Sequence, residues 1–472
     1  MVDLRGLLWR LRLESYRWRR HAVFLLGGVL TGAVAAGFTN LADLAQAAFR
    51  HIDGTWRFAP LLIAPAGFAA SLYLTTTVFR NAQGSGIPQA IAARRIEDPA
   101  GRAALVSPKI AAGKVVLTAL GLLCGGSIGR EGPTVQVGAS VMHATGRMSP
   151  RRQPGLILAG AAAGVAAAFN TPLAGIVFGI EEMAKSFETR TSGLIIAAVV
   201  VAGLTSQAIL GDYTYFGTTK VGLGLAGWAT VPVCGILGGL AGGIFSRTLI
   251  EVLDGLPGAV GTSIKRHPVV FAAICGLAVA LCGLASDGSS FGTGYAQARA
   301  LLDGSAPPPQ SFGALKFIAT LISSISGVPG GIFSPSLAVG AGMGANIAPL
   351  FPDVAPAAVV LLGMVSYFAS VVQAPITAFV IVTEMTNNHA MVVPLMAAAL
   401  IATAVSRLVS PEGIYHALAR NYLAAPPKGR LIFPTESCRL GNRIERRLGR
   451  QADRGPKWRC IRYAISWRSR KS

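Results

Sequence analysis

Charged residues are scarce in this sequence, and its cysteines lack the spacings that form structural sites. Asp, Glu, Lys and Arg make up 13% of the 472 residues, about half the share found in soluble domains. The six cysteines show no CxxC pair, and most of them lie in apolar runs. The sequence therefore predicts neither a disulfide framework nor a cysteine metal site, and its charge content argues against an ordinary soluble domain.

Apolar residues take the place of the missing charge. Hydrophobic residues make up 52% of the chain, and the mean hydropathy is +0.53. Several apolar runs approach the ~20 residues that cross a bilayer as a helix. These runs are Ala22–Ala36, Pro60–Val78, Leu194–Leu210, Val269–Leu284 and Met391–Val405. The sequence predicts an all-α polytopic membrane protein in a lipid bilayer.

The net charge of +21 is concentrated at the two ends of the chain. Residues 1–20 hold six Arg against two acidic residues, and residues 428–472 hold fourteen Lys or Arg against three. By the positive-inside rule, both termini are expected in the cytoplasm. A basic segment beside a membrane more often meets anionic lipid than nucleic acid, so no nucleic-acid partner is expected. The polar start is longer than the n-region of a signal peptide, so we interpret Ala22–Ala36 as a retained span.

Composition divides the chain into three parts. Residues 1–20 are predicted to form a basic cytoplasmic helix. Residues 21–424 form the predicted membrane domain, with halves at roughly 21–210 and 225–424. From residue 425 to 472 the chain is polar and basic without clear periodicity, and we expect a disordered tail there.

Two pairs of segments about two hundred residues apart share a pattern. GREGPTVQVGA at 129–139 matches GIFSPSLAVGA at 331–341, with an offset of 202 residues. LAGAAAGVAAAFNTPLAGIVFGIEEM at 158–183 matches LLGMVSYFASVVQAPITAFVIVTEM at 361–385, with an offset of 203. The near-constant offset indicates a duplicated fold. Paired Gly/Pro breaks in two halves of a membrane protein point to a transporter's substrate site.

Glu131 is the one carboxylate in the two matched breaks. An ionised carboxylate within a membrane costs on the order of 3 kcal/mol or more, so such residues usually face a pathway. The surrounding glycines and proline allow the backbone to present N–H groups to an anion once the side chain swings away. The same carboxylate can carry a proton. The alternative is a structural ion pair with Arg130.

Two further breaks offer backbone N–H groups. The segment GSGIP at 84–88 would favour an anion if a helix begins there, because the N-terminus of a helix carries free N–H groups and positive dipole charge. An ordinary turn is the alternative. Ile332 and Phe333 offer their amides in the second break, where a helix start with Pro near its first position is the alternative.

Three more residues are candidates at the ends of apolar runs. Glu181 and Glu182 close the run Leu173–Ile180. For Glu181 we favour a solvated helix end, whereas Glu182 is a candidate proton relay on the cytoplasmic side. Tyr415 either belongs to an interfacial aromatic belt or donates a hydrogen bond to an anion through its phenol.

The ordered set GSGIP, GREGP, FNTPLAGIVFGIEE, GGIFSP and a late Tyr closely resembles the CLC family of chloride channels and transporters, over roughly residues 20–424. The resemblance implies a homodimer with one pore per subunit. Each subunit is then an inverted repeat of two halves with broken and short, tilted helices. It also implies that chloride and protons are carried without a cofactor, in a bacterial inner membrane.

The resemblance also assigns roles to single residues. It implies that Ser85 and Tyr415 bind a central chloride through their hydroxyls, assisted by the amides of Ile332 and Phe333. The other residues assigned to the chloride site are Gly86, Ile87, Arg130 and Gly132.

The two glutamates decide between the branches of the family. Glu131 matches the gating glutamate, and Glu182 matches the inner proton-transfer glutamate that exchangers have and channels replace. Ser85 matches the chloride type of the selectivity residue, where nitrate transporters have Pro. The motifs also depart from those of the fluoride-exporting branch. The resemblance therefore favours a chloride/proton antiporter.

Two other functions remain open at this point. A passive chloride channel, gated by voltage or pH, would use the same fold. A membrane-embedded serine protease using Ser85 would need a histidine partner, and the nearest downstream one, His143, lies in no recognisable motif. The duplication favours transport, so we do not expect an enzyme.

Overall fold

The computed structural model of the chain describes residues 4–146, 152–184, 192–211 and 214–423, and of residues 4–20 the backbone alone. Within these ranges the regular elements are helices, and the one pairing of extended backbone is an isolated bridge. The predicted all-α fold is confirmed. The helix expected for residues 1–20 is continuous with the first apolar run, because α1 extends from Leu4 to Thr55. The expected tail at 425–472 lies outside the described residues.

The helices of the first half begin with α1. The others are α2 (Pro60–Thr77), α3 (Ile87–Arg95), α4 (Pro99–Leu105), α5 (Pro108–Leu123), α6 (Glu131–Thr145), α7 (Gln153–Phe169), α8 (Pro172–Phe178) and α9 (Ser192–Leu210). A π-helical turn, Gly179–Ala184, continues α8.

The second half follows a short 3-10 turn, Leu225–Ala229. Its helices are α10 (Thr230–Gly255), α11 (Gly258–Arg266), α12 (Pro268–Ala285), α13 (Tyr295–Asp303), α14 (Phe312–Ile325), α15 (Phe333–Ile347), α16 (Pro356–Val372), α17 (Pro375–Thr386), α18 (Val392–Val409) and α19 (Ile414–Leu423).

Seven helical stretches of the described chain are long and apolar enough to cross a membrane. They are His21–Thr55, Pro60–Thr77, Pro99–Leu123, Gly193–Leu210, Gly227–Gly255, Pro268–Ala285 and Val392–Val409. All five runs predicted from the sequence fall in or overlap these stretches. The helices nearest the centre, such as α6, α8, α15 and α17, are shorter than a bilayer is thick. Short helices at membrane depth need protein around them to satisfy the backbone at their ends.

The centre of the fold is formed by α7 and α16, which are equivalent helices of the two repeats. Each has 17 residues and is buried on nearly all sides, as expected for a helix that is apolar all round. Each ends at a residue in the left-handed region, Asn170 at φ 56° and Gln373 at φ 58°. Glycines allow α15 to approach α16 closely, because a Cβ on Gly340 would lie 2.5 Å from the carbonyl oxygen of Gly363. The repeat inferred from the sequence is therefore a repeat of the packed core.

Glu181 and Glu384 show that the two halves are inverted relative to each other. The Glu181 carboxylate accepts hydrogen bonds from the N–H groups of Ile376 (3.1 Å) and Thr377 (2.7 Å), at the start of α17. The Glu384 carboxylate accepts hydrogen bonds from the N–H groups at the start of α8, Leu173 (3.1 Å) and Ala174 (2.6 Å). The end of each segment thus meets the beginning of the other, which requires α8 and α17 to be antiparallel.

The interpretation of Glu181 as a solvated helix end is wrong. Its carboxylate satisfies free N–H groups and complements the positive dipole end of α17. A Thr377 hydroxyl donates to the same carboxylate at 2.7 Å. Glu181 is therefore a structural cap, and Glu384 is its counterpart.

Candidate functional site

The two matched Gly/Pro breaks meet each other at the centre of the protein. Gly129 and Gly331 form an antiparallel bridge in which each N–H donates to the other's carbonyl oxygen at 2.7 Å. Two residues beyond the bridge, α6 begins at Glu131 and α15 begins at Phe333. The N-termini of two helices therefore start from one point. Their free N–H groups and positive dipole ends favour negative charge there.

The GSGIP loop joins the same point. The carbonyl oxygen of Gly84 accepts a hydrogen bond from the Gly330 N–H at 3.0 Å. A Cβ placed on Gly132 would lie 3.1 Å from the carbonyl oxygen of Ser85 and 3.2 Å from Cα of Gly331. The absence of a side chain at Gly132 thus lets three chain breaks approach one another. Two of them were expected to do so from the repeat, and the third was expected only from the resemblance.

Gly86 and Ile87 begin α3 at this loop. Gly86 lies in the left-handed region at φ 92°, where a side chain is strained, and Ile87 is the first residue of the helix. The Ile87 N–H donates to the Ser85 hydroxyl oxygen at 3.4 Å, and that hydroxyl keeps its own proton to donate. Ser85 is half-buried, whereas Gly86 and Ile87 are buried.

A buried lysine fixes the loop from behind. The Lys114 ammonium donates to the carbonyl oxygens of Gln83 (3.2 Å) and Gly84 (2.9 Å). Because these two carbonyl groups point toward Lys114, the N–H groups on the opposite side of the loop point away from the lysine. The sequence reasoning missed this lysine, although it lies 202 residues before a second lysine, Lys316, in the other half.

Tyr415 lies in the buried part of the protein. Its side chain is 1% exposed, and its hydroxyl has no hydrogen-bond partner among the described residues. Its ring centroid is 6.1 Å from that of Phe333, and α19, which carries it, packs against α3. A tyrosine this buried does not belong to an interfacial aromatic belt. A buried phenol needs an acceptor, which an anion at the start of α15 would supply.

Glu131 is fully buried at the first turn of α6. One carboxylate oxygen, Oε1, accepts hydrogen bonds from the hydroxyls of Ser334 and Tyr215, the latter at 3.3 Å. The other oxygen, Oε2, has no hydrogen-bond partner within the described chain. The carboxylate is therefore held from one side while its second oxygen is left for a proton.

Sequence reasoning missed Ser334 and Tyr215. Ser334 lies inside the quoted GGIFSP motif, where only the backbone amides were considered. Tyr215 lies in the loop between the two halves, 84 residues beyond Glu131, and no local pattern points to it. Its ring packs edge-on against Phe169 and Tyr295, at centroid distances of 5.8 Å and 4.7 Å, which fixes its position.

The Arg130 side chain pairs with α1. Its guanidinium forms an ion pair with the Asp43 carboxylate and donates to the carbonyl oxygen of Thr39 at 3.2 Å. The Arg130 side chain is 7% exposed, and that of Asp43 is 63% exposed. A contribution of Arg130 to an anion at the bridge would accordingly come from its backbone N–H.

Glu182 lies in the π-helical turn that ends the α8 segment, and it is 4% exposed. His416, the residue after Tyr415, approaches it with Nε2 at 3.1 Å from the Glu182 carbonyl oxygen and 3.6 Å from its carboxylate. The Arg94 guanidinium donates to the carbonyl oxygen of Met183 at 2.8 Å. Glu182 is therefore a buried carboxylate beside an imidazole, and not a solvated helix end. No sequence pattern pointed to His416.

A cluster of phenylalanine rings packs next to the segments that carry Glu131 and Glu182. Phe333 stacks on Phe169 at 6.0 Å, and it meets the edges of Phe178 at 6.0 Å and Phe368 at 5.0 Å. Phe178 lies one turn before Glu182, and Phe333 is next to Ser334. The four phenylalanine rings carry no exchangeable proton, so a proton passing among them would need water or the hydroxyl of a neighbouring tyrosine. In the described residues no three His, Cys, Asp or Glu side chains are grouped to hold a metal ion.

Known proteins share this architecture over most of the chain. A family profile described as "Voltage gated chloride channel" matches residues 66–407. A protein of Yersinia pseudotuberculosis serotype IB (strain PB1/+), named H(+)/Cl(-) exchange transporter ClcA, is 31% identical over 441 residues, covering 85% of this chain and 87% of that protein. A protein of the same name from Salmonella paratyphi A (strain ATCC 9150 / SARB42) is 30% identical, covering 84% of this chain and 87% of that protein.

Solved structures agree with the sequence matches. The crystal structure of a slow cyanobacterial Cl-/H+ antiporter superposes with a TM-score of 0.74 at 27% identity, covering 87% of this chain and 99% of that one. A CLC-type fluoride/proton antiporter gives a TM-score of 0.71 at 26% identity, covering 84% and 96%. With the inverted repeat and the paired breaks, these matches show that the chain belongs to the CLC family of voltage gated chloride channels and transporters.

Proposed function

We propose that this protein is an antiporter that exchanges chloride for protons across a membrane. The observation that carries the proposal is a pair of buried carboxylates at two separate places in the fold. Glu131 lies where the three chain breaks converge, and Glu182 lies at the end of the α8 segment. The names of the exchange transporters that it resembles, and the antiporter among its structural neighbours, support the same activity.

Glu131 couples the two ions by competing with the anion. Ionised Glu131 places negative charge at the start of α6, where an anion would also be stabilised. Two negative charges at one point repel each other, so chloride entry favours either displacement or protonation of the carboxylate. Protonation at Oε2 neutralises Glu131 and relieves this repulsion. One residue thereby links anion occupancy to proton binding.

Ser334 and Tyr215 position Glu131 for this exchange. Their hydroxyls donate to Oε1 and stabilise the ionised form, while leaving Oε2 without a partner. Both donors are neutral, so the carboxylate can leave them without separating an ion pair. We infer that they set how readily Glu131 gives way to chloride.

The anion site that we propose uses Ser85, Tyr415 and the amides of Ile332 and Phe333. The unpartnered phenol of Tyr415 and the half-buried hydroxyl of Ser85 are the two side-chain donors. The first N–H groups of α15 add backbone donors without a fixed positive charge. Neutral donors bind an anion weakly enough for it to leave, which transport requires.

Further assignments follow from charge and family likeness. We propose that the protein works as a homodimer in a bacterial inner membrane. The basic residues at both ends of the chain support cytoplasmic termini. Glu182 would then serve the cytoplasmic side, and the proton would cross the aromatic cluster on water.

A passive chloride channel is the second candidate, because the same anion site would serve it. The presence of a buried carboxylate at Glu182 favours the exchanger, since a channel needs no second proton carrier. The two candidates differ in whether a chloride gradient drives protons uphill.

Glu182→Gln tests the proposal in liposomes with chloride efflux and external pH recorded together. We expect the parent protein to move protons against their gradient when chloride flows. Gln keeps the size of the side chain but cannot carry a proton, so proton movement should stop while chloride flux continues.

Glu251→Gln is the matched control. Glu251 is an exposed glutamate on α10 that pairs with Arg247 at 2.9 Å, and its loss should leave both fluxes unchanged. Normal proton pumping by the Glu182→Gln variant would remove Glu182 from the proton path. Absence of pumping in the parent would favour the channel.

A further inference from the structure

We propose that His416 transfers protons between solvent and Glu182, an inference that rests on the proposed antiport. Glu182 is buried at the end of the α8 segment and cannot exchange protons with water as an exposed carboxylate does. His416 lies between it and the surface. An imidazole changes charge near neutral pH and carries protons on either ring nitrogen, which makes it the side chain best suited to this transfer.

The side chains form a gradient of exposure from solvent to Glu182. Arg95 is exposed, His416 is 14% exposed, and the Glu182 side chain is 6% exposed. One ring nitrogen of His416 lies near the exposed Arg95, and the other lies near the buried Glu182. Nδ1 is 3.5 Å from the Arg95 guanidinium, and Nε2 is 3.6 Å from the Glu182 carboxylate. A proton can therefore enter at one nitrogen and leave from the other.

The contacts favour one tautomer of the resting ring. A guanidinium has only N–H donors, so Nδ1 accepts from Arg95 and carries no proton. The proton then lies on Nε2, which donates to the Glu182 carbonyl oxygen at 3.1 Å. The ring is thus held with its N–H directed to the backbone and carboxylate of Glu182.

The transfer balances in protons. Water adds a proton at Nδ1 as the exposed Arg95 side chain moves off, giving an imidazolium. The Nε2–H bond then breaks and an O–H bond forms on the Glu182 carboxylate, leaving a neutral ring protonated at Nδ1. The ring then returns to its first tautomer either by turning about its Cβ–Cγ bond or by giving the Nδ1 proton to water and taking one from water at Nε2, so that the net change is one proton moved from water to Glu182. The reverse sequence discharges Glu182.

The other charges near His416 come from the helices that pack around α19. From α3, Arg95 faces the ring and Arg94 binds the carbonyl oxygens of Met183 and Ala184.

The remaining helices around α19 place their charges on other partners. From α10, Asp254 accepts from the Asn421 amide at 2.9 Å. On α19 itself, Arg420 pairs with Glu412 at 2.8 Å. Helix α16 contains no charged residue. Among these groups, Glu182 is the carboxylate within ion-pair distance of His416.

His416→Gln and His416→Arg test the proposal. Gln keeps a hydrogen-bond donor, and Arg keeps a positive charge, but neither carries protons near neutral pH. We expect both variants to lower the coupled proton rate at least about tenfold near pH 7.5, where water supplies few protons. Near pH 5 the loss should shrink to about twofold, because hydronium can protonate Glu182 without a relay.

The Glu182→Gln background separates proton transfer from a structural role. Chloride flux in that variant needs no proton at position 182, so adding His416→Gln should leave it unchanged. A further loss of chloride flux in the double variant would mean that His416 holds the turn, and would overturn the proposal. So would normal coupled transport by His416→Arg near pH 7.5.

Measurements on the parent protein distinguish failure of the relay from failure of the antiport. If the parent pumps protons and His416→Gln pumps equally well at all pH values, the relay is wrong and the antiport stands. If the parent pumps no protons, the antiport itself is wrong, and the relay is rejected with it.

Discussion

In the first half of the protein the residue two positions after the central bridge is Glu131, and in the second half the equivalent residue is Phe333. The same contrast occurs at the ends of the α8 and α17 segments. There the shared caps Glu181 and Glu384 are followed by Glu182 in one half and by Met385 in the other. At each of these pairs the helix frame is the same, and the carboxylate that can carry a proton occurs only in the first half.

The parts that both halves keep are structural. Lys316 donates to the carbonyl oxygens of Ser290 (3.0 Å) and Gly292 (2.6 Å), as Lys114 does to the loop before α3. The loop that Lys316 holds reads GTGY at 292–295 and begins α13, as GSGI begins α3. Each loop places a glycine in the left-handed region just before its helix.

The two halves of the duplicated fold share a structural frame and differ in the residues proposed to act on ions. Equivalent residues that make equivalent contacts maintain the frame. Residues that differ between the halves, at the bridge and at the segment ends, carry the proposed ion chemistry. Substitutions at the two kinds of position should therefore have different consequences.

Removing the charge that distinguishes the bridge should have the largest effect. In Glu131→Gln the first break lacks a carboxylate, as the second does, and the side chain at position 131 can no longer release a proton. We expect chloride-driven proton movement to fall to background while passive chloride flux persists. Simultaneous chloride and pH recording in liposomes measures both. Proton pumping at the parent rate in this variant would place the coupling elsewhere.

Substitutions at Ser85 and at its counterpart Thr293 should differ in their effect on anion selectivity. Ser85→Pro removes a hydroxyl and a backbone N–H. Chloride, which is more strongly hydrated than nitrate, should lose more from a site with fewer donors. We expect nitrate transport to rise several-fold relative to chloride, together with better coupling of nitrate to protons.

Thr293→Ala provides the comparison for Ser85. The Thr293 N–H donates to the Gln46 side chain at 3.1 Å, so that loop is closed by protein. The Thr293→Ala variant should select between nitrate and chloride as the parent does in competition measurements. If Ser85→Pro also kept the parent's preference, GSGIP would be an ordinary turn and not part of the anion site.

Substitution of the shared caps should have the smallest effect on transport, and it should lower stability similarly in the two halves. In Glu181→Gln and in Glu384→Gln, two backbone N–H groups lose a charged acceptor, so two hydrogen bonds are weakened in each variant. Hydrogen bonds to charged groups contribute about 1.5–3 kcal/mol, so each variant should unfold at a lower temperature in detergent. The ratio of protons to chloride should stay at the parent value in both. A changed ratio in Glu181→Gln alone would give Glu181 a role in proton transfer.

The sequence predicted the repeat because most equivalent residues keep an offset of 202 or 203. The GTGY loop was missed because it lies 208 residues after GSGI, beyond that offset. The cap formed by Glu181 was also missed, since the backbone N–H groups that donate to its carboxylate are 195 and 196 residues away. Local patterns carry no information about such partners.

The candidate site was predicted in its backbone and incompletely in its side chains. The paired Gly/Pro breaks are visible in the sequence and predicted a shared site, whereas the direct bridge between Gly129 and Gly331 is seen only in the structure. The hydroxyls of Tyr215 and Ser334 and the imidazole of His416 reach the glutamates through the tertiary fold. Their residue types are common on any helix or loop, so the sequence could not single them out.

The reversal potential of the parent protein distinguishes antiport from passive chloride conduction. Purified protein in liposomes is given opposed chloride and pH gradients, and the voltage at which net ion movement stops is measured while each gradient is varied. We expect this voltage to shift with the pH gradient as well as with the chloride gradient, as coupled exchange requires. A voltage that follows the chloride gradient alone would rule out antiport.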